Sequence, residues 1–370
     1  MGNEYKNILR KKAKSMQTIS ITRTQQPKQK PTDESSLGFG RIFTDHMFLM
    51  DYDREQGWHN ARVVPYGNFP MDPAAMVLHY GQAIFEGMKC YRREDGGLQL
   101  FRPKDNLARM TRSAQRMGMP ALDEETALEG LKELIRLDAE WVPHLSGTSL
   151  YIRPTMISMD VGLGVHASHK YLFYIILSPV GSYYKEGLKP VSIYVEDEYV
   201  RAVRGGVGFT KCAGNYAASI LAGDIAEQKG FSQVLWLDGV EQKYVEEVGS
   251  MNMMFAYGKA IVTPKLNGSI LPGITRDSVL KLAPTLGYTV KEDRLAIHDI
   301  FEDAKAGKLT EAFGTGTAAV ISPVGVLSMK GENLTLSGGN IGPVAQHLYD
   351  TLTGIQYGRI ADPFGWILKM

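Results

Sequence analysis

Cysteine is scarce in this chain: only Cys90 and Cys212 occur in 370 residues, far apart. Two such thiols exclude a disulfide scaffold and a cysteine-based zinc site, and they fit a reducing compartment. Charge of one sign is also lacking. The formal net charge is +1, so there is no basic field for nucleic acid and no acidic surplus. Long hydrophobic runs are missing as well. The longest, YLFYIILSPV (171–180), has the length and composition of a β-strand rather than of a membrane span. No secretory leader is read at the start.

Several catalytic signatures are absent too. GGVGFTK (205–211) and GTGTA (314–318) each suggest a phosphate loop. Thr210 rather than glycine precedes Lys211, however, and Cys212 follows it, so neither is a Walker A motif. No GxGxxG joins a strand to a helix, which leaves a dinucleotide fold unsupported. The histidines are scattered apart from His166 and His169 in VHASH, where no nearby acid or cysteine completes a metal site. Neither a GxSxG elbow nor a Cys–His signature appears.

What is present is an ordinary soluble composition, 44% apolar and 22% charged, in a chain long enough for two domains. Residues 1–36 read as a basic, flexible tail, with eight Lys/Arg against one acid in the first thirty. A transit peptide is the alternative, so the expected location is the cytoplasm, or mitochondria if that tail is a targeting segment. Order is expected from about Leu37. RIFTDHMFLMDYD reads as a strand, and PMDPAAMVLHYGQAIFEGMKCYRRE as a helix running into another strand. Pro103 opens a helix with Leu107, Met110, Ala114 and Met117 on one face. Asp123 caps a second helix, and TSLYIRPTMISMD and KYLFYIILSPV are strands. These make 37–181 a small α+β domain, with 182–191 as linker. Residues 192–370 form a larger domain: a strand VSIYVEDEYVRA, a helix NYAASILAGDIAEQKG, a strand SQVLWLDG, strands YVEEVGSMNMMFAY and KAIVTP, two helices, a Gly/Thr loop AFGTGTAAVISP, and a last helix.

Within this larger half, GFTKCAGNYAAS (208–219) sets Lys211 among small and aromatic residues with no carboxylate close in sequence. Lysine is a nucleophile only when neutral, and desolvation favours the neutral amine. Schiff-base chemistry with pyridoxal phosphate needs such a lysine, an acid for the pyridine nitrogen and a cradle of donors for the phosphate. EVGSMN offers the acid, although periodicity does not separate Glu247 from Glu246. LPGITR offers amides at a helix start, and GTGTA offers more.

The motifs GFTKCAGNYAAS, EEVGSMN, GSILPGITR and FGTGTAA, in that order, resemble the branched-chain amino acid aminotransferases of fold type IV. FGRIFTDHMF, LHYGQAIFEGMK, LFRPKDNLARM, GTSLYIRP and SPVGSYYKEG agree, so the resemblance spans about 37–366. It implies a two-domain mixed α/β fold, like that of D-amino acid aminotransferase, with a barrel-like sheet in the larger domain. Pyridoxal 5'-phosphate is the implied cofactor, held covalently by Lys211. Tyr216 is matched to the cofactor's phenolic oxygen and Glu247 to its pyridine nitrogen. Arg109, Ile274, Thr275 and Thr317 are matched to its phosphate, with Ser250 beside them. The implied substrate pocket comprises Phe39, Tyr80, Phe85, Tyr151, Arg153, Tyr183, Ser250, Thr317 and Ala318, with Val165 reaching across a homodimer interface. Arg153 and Tyr151 would take the side-chain carboxylate of glutamate, and the amides near 317–318 the α-carboxylate.

The implied reaction transfers the amino group of L-leucine, L-isoleucine or L-valine to 2-oxoglutarate. Small amino and 2-oxo acids are then the partners, and neither nucleic acid, membrane nor metal is expected. Another enzyme of the fold, a D-amino acid aminotransferase or aminodeoxychorismate lyase, would share the lysine and the acid, but LYIRP and GSYYKEG speak against it. A cofactor-free binding protein would give no spectral change with pyridoxal phosphate. The chain departs from mammalian members, whose C-x-x-C pair is replaced by Ala319 and Ser322. Cys212 is left without a role.

Overall fold

A computed structural model describes residues 17–181 and 188–370. Two nine-stranded sheets dominate it. The first places Gly57–Pro65, His46–Asp53, Lys170–Val180, Ser149–Ser158, Met88–Arg92 and Leu98–Phe101 side by side, with Ala83–Phe85 also on Ser149–Ser158. Ile367–Lys369 returns from the far end of the chain to pair with Leu98–Phe101. Helices Pro103–Arg116 and Glu124–Leu137 cover this sheet. Pro103 at the first turn and Leu107, Met110 and Ala114 facing inward follow the expected periodicity. At the second helix the Asp123 carboxylate accepts from Thr126 N at 3.1 Å, satisfying an amide that the first turn leaves unpaired. Leu131, Leu134 and Ile135 are fully buried there, each contributing roughly 1.5–3 kcal/mol.

In the second sheet, Val245–Val248, Gln233–Leu237, Val191–Val195, Val320–Met329, Glu311–Gly316 and Met251–Tyr257 follow one another. Val245–Val248 pairs again with Met251–Tyr257, which closes six strands into a ring. Helices Ile274–Leu282 and Pro343–Gln356 pack against it through Val279, Leu282, Leu348 and Leu352. The fold is thus a mixed α/β structure with a barrel-like sheet, as the resemblance implied.

Some elements differ from the sequence reading. Residues 17–36 lie along the first sheet rather than apart from it. Ser20–Ile21 pairs with Gly57–Pro65, Thr24 N donates to His46 Nε2 at 2.9 Å and Lys28 N to Asp45 at 2.8 Å, so the polar strap is held by partners far along the chain. The strand expected across VSIYVEDEYVRA stops at Val195. There the Glu196 carboxylate accepts from Glu198 N and Tyr199 N, a local turn that competes with the ladder. The helix expected over NYAASILAGDIAEQKG is two, Ala213–Ala217 and Ile220–Gln228. Ser219 Oγ bonds back to Tyr216 O at 2.7 Å between them. The Gly/Thr loop is a hairpin, Glu311–Gly316 and Val320–Met329 around a tight turn. Helix Met76–Tyr80 is short, and strands Ala83–Phe85 and Met88–Arg92 take up the rest of its segment.

Candidate active site

The loops of the ring sheet meet the first sheet around Lys211. Phe85 N donates to Lys211 O at 3.0 Å, Lys211 N donates to Ser113 Oγ at 3.1 Å, and Cys212 bridges Ile84. This extended backbone sends neighbouring side chains opposite ways. Cys212 therefore enters the first hydrophobic core, with Ile84 and Met88, and its part is packing. Lys211 turns toward the cleft, where Nζ donates to Tyr216 Oη at 2.7 Å and lies 4.8 Å from the Phe85 ring centre. The residue is partly buried, yet its amine is enclosed by rings and touches no carboxylate. Burial first, then the Arg109 and Arg153 charges, lower its pKa to about 7, against the opposing pull of Glu86 and Glu247. Tyr216 is pushed well up, by burial and then by Glu247.

Glu247 and Glu246 are both buried but face opposite sides of their strand. Glu246 Oε1 accepts from Asn267 Nδ2 at 2.9 Å and from Ser269 Oγ, on the loop outside the ring. Glu247 shares a small cavity with Tyr216, Ser250 and Leu271. Its Oε1 accepts from Leu271 N at 2.7 Å and Asn252 Nδ2 at 3.3 Å, and Oε2 lies 3.1 Å from Arg201 Nε. Burial raises the Glu247 pKa, and Arg201 and the Leu271 amide resist that shift.

Arg109 projects from its helix beneath the loop at Pro272. Its guanidinium donates to both Glu86 oxygens, at 2.7 and 2.8 Å, and to Pro272 O at 3.2 Å. Burial opposes that charge, but Glu86 outweighs it and the pKa is raised. The helix Ile274–Leu282 starts beside this pair with Gly273 as N-cap and no side-chain cap, so its first amides stay available. A Cβ at 273 would stand 2.0 Å from Asn252 Oδ1, so a larger residue would displace the side chain that bonds Glu247. Ile274, Thr275 and Thr317 line one small cavity with Lys89. Lys89 Nζ donates to Ala318 O at 2.7 Å, and burial lowers its pKa to about 8.

An aromatic wall continues outward from the lysine. Phe85 meets Tyr216 edge-on at 4.7 Å, and the Arg153 guanidinium covers Phe85 at 4.7 Å while donating to Tyr151 Oη at 3.1 Å. Phe39 packs on Tyr151 at 4.8 Å. Tyr80 lies farther out and its hydroxyl donates to Leu163 O. Val165, on the same loop as Leu163, is 78% exposed in the single chain and stands apart from the other positions. Tyr183 lies outside the described residues.

Sequence reasoning missed Glu86, Lys89, Arg201 and Asn252. Glu86 and Lys89 did leave a signal, as charges inside the otherwise apolar AIFEGMKCY; Arg201 sits in EDEYVRAVR and left none. VHASH also differs, since an acid does stand close: the Asp160 carboxylate lies 3.3 Å from His166 and 3.8 Å from His169. Even so, no group of three metal-ligating side chains forms among the described residues. A cavity of about 550 Å³ lies outside the ring beside Arg204, Asp238 and Glu246, away from this chemistry. Shifted pKa values gathered around one lysine locate a reactive centre better than volume does.

The family description "Amino-transferase class IV" matches residues 83–326, which include Phe85, Arg109, Lys211, Glu247 and Thr317. The chain belongs to the class IV aminotransferases. It is 57% identical over 354 residues to branched-chain-amino-acid aminotransferase 2 of Bacillus subtilis (strain 168), covering 96% of this chain and 97% of that protein. Identity at this level places it in the branched-chain-amino-acid aminotransferase family. Among solved structures it is similar to the branched-chain amino acid aminotransferase of Escherichia coli, with a TM-score of 0.73, 28% identity and coverage of 87% of this chain and 98% of that one. The T.th. branched-chain amino acid aminotransferase, solved with pyridoxamine 5'-phosphate, gives a TM-score of 0.72 at 27% identity, over 86% and 97% of the two chains.

Proposed function

We propose that this chain transfers the amino group of L-leucine, L-isoleucine or L-valine to 2-oxoglutarate, with pyridoxal 5'-phosphate as cofactor. The observation that carries the reading is the enclosed, carboxylate-free Lys211 amine, lowered to about 7 and resting on Tyr216. The residues around it suit the cofactor. An uncapped helix start narrowed by Gly273 adjoins buried Arg109, and a buried acid lies on the other side of the lysine. Lys211 would hold the cofactor covalently, Tyr216 its phenolic oxygen and Glu247 its ring nitrogen. Arg109, Ile274, Thr275 and Thr317 would hold its phosphate, with Ser250 beside them. When bound, it supplies a carbonyl for the amino group and an electron-withdrawing ring for the charge left at the substrate's α-carbon.

The rest of the chemistry belongs to the protein's own groups. Once the incoming amino group has released it, neutral Lys211 Nζ takes the proton from the substrate Cα and holds it as an ammonium, ready to deliver it elsewhere than Cα as general acid, a role suited to a pKa near the working pH. Phe39, Phe85 and Tyr151 present apolar faces to a branched side chain, and Tyr80 flanks them. Arg153 with Tyr151 takes the γ-carboxylate of glutamate, and Thr317 and Ala318 take the α-carboxylate. Exposed Val165 fits a homodimer in which each subunit lends this loop to its neighbour's site. Residues 37–181 and 192–370 act as two domains enclosing the site, joined by 182–191.

A steady-state panel pairing L-glutamate with branched and unbranched 2-oxo acids tests the reading, alongside L-leucine and D-alanine as rival donors. Preference for branched 2-oxo acids and for L-leucine is expected. Turnover of D-alanine without L-leucine would overturn it, as would a Lys211→Ala protein that kept both activity and the yellow cofactor absorbance.

A further inference from the structure

Val320 follows the turn at 317–319 and has φ of +64°, in the left-handed region. Of the described non-glycine residues with positive φ (Asn60, Arg102, Gln242, Val320, Lys330 and Ser337), it alone is β-branched. A branched Cβ crowds its own carbonyl there, so valine stays only where its surroundings force it. Ile321 N donates to Ala319 O at 2.8 Å, closing a three-residue turn of the strained hand around Val320. The side chain is 5% exposed and packs with Phe313, Ile321, Val344 and Leu348. Two residues back, Lys89 Nζ grips Ala318 O at 2.7 Å. Gly316 pairs with Val320 and Thr315 with Ile321, so the ladder holds both ends of the turn.

We infer that Val320 is a positioning residue for carboxylate recognition, an inference that rests on the function proposed above. Its isopropyl group is anchored in the core and holds the backbone in a conformation that valine would otherwise leave. The turn is thereby kept in one shape, with the Thr317 hydroxyl and the 317–318 amides presented to an anion. Packing holds the strain in place, and the strain is local to the donors.

The test uses the cofactor-loaded enzyme and two probes that each lack one of the two polar groups of L-leucine. 4-Methylvaleric acid carries the branched chain and carboxylate without an amine, and 3-methylbutylamine carries the amine without a carboxylate. Calorimetric titration gives each dissociation constant, and L-leucine kinetics give KM and kcat. Val320→Ala keeps the strained Cβ but loses the anchor, so 4-methylvaleric acid binding and the L-leucine KM should each worsen about tenfold. Binding of 3-methylbutylamine should stay within about twofold, and kcat within about threefold. Val320→Gly makes the same φ permissible, so its loss should be smaller, about threefold, despite the larger deletion. A residue serving only to fill the core would reverse that order, or leave both probes unchanged while lowering Tm, and either result overturns the inference. Should Val320→Ala be insoluble, Val320→Gly decides alone: wild-type affinity for 4-methylvaleric acid overturns the inference, and a loss of about threefold confined to that probe supports it. Failure of the wild-type enzyme to bind 4-methylvaleric acid or to turn over L-leucine would count instead against the proposed function.

Discussion

Replacing Lys211 with methionine in the cofactor-free protein is expected to stabilise the fold while removing the amine on which the chemistry depends. Methionine has nearly the same length and nothing to ionise. In the unfolded chain the lysine titrates near 10.5, whereas burial lowers the folded value to about 7. Between those values the unfolded state holds a proton that the folded state has given up, so folding is penalised. The penalty is complete below pH 7, shrinks as the pH rises and is gone above 10.5. Each pKa unit corresponds to about 1.4 kcal/mol, which puts the ceiling at about 5 kcal/mol at pH 7 and about 3 kcal/mol at pH 8. Methionine also forfeits the 2.7 Å bond to Tyr216, worth about 1 kcal/mol. The net gain is then about 4 kcal/mol at pH 6, about 2 kcal/mol at pH 8 and close to zero at pH 10. Urea unfolding of both proteins at these three values measures the difference, in which all shared titrating groups cancel. A variant less stable than wild type by the same amount at every pH would refute the reasoning, because the amine would then be stabilising in whichever form it takes.

Glu86→Ala leaves the Arg109 guanidinium buried without its bidentate partner, so urea denaturation should show a loss of about 3–5 kcal/mol, partly recovered in Glu86→Met/Arg109→Met. Glu247→Gln should retain the cofactor, as read by its absorbance, while kcat falls by about 10²–10³, the scale of losing one preorganised electrostatic contact. For Arg153→Met, KM for 2-oxoglutarate should rise at least about tenfold more than KM for 4-methyl-2-oxopentanoate, since a charge-assisted contact of about 1.5–3 kcal/mol is removed for only one of them. Equal changes for the two oxo acids would place Arg153 outside side-chain recognition.

Local pattern carried part of this structure in plain view. The helices at Pro103 and Asp123 were legible because one face of each is apolar at helical spacing and a start signal precedes it. Lys211 stood out because no acid follows it for a dozen residues. Long-range partners left no such trace. Glu86 meets Arg109 from a different element, Arg201 meets Glu247 across 46 positions, and Lys89 reaches Ala318 across 229. Alternation did not separate Glu246 from Glu247, since all four residues of their strand are buried on both faces of the ring. The hairpin at 311–329 read as a loop for a related reason. Its Gly and Thr residues resemble turn composition, and they become strand only when paired with neighbours that sequence spacing does not reveal.

Closure of the six-stranded ring bears on how the acid is held. The seam that completes it, Val245–Val248 against Met251–Tyr257, is also the strand that carries Glu247. That strand is paired on its other side with Gln233–Leu237, so Glu247 stands in register with both Trp236 and Asn252 and has no free edge along which to slip. The acid is therefore fixed by the whole ring rather than by one hairpin.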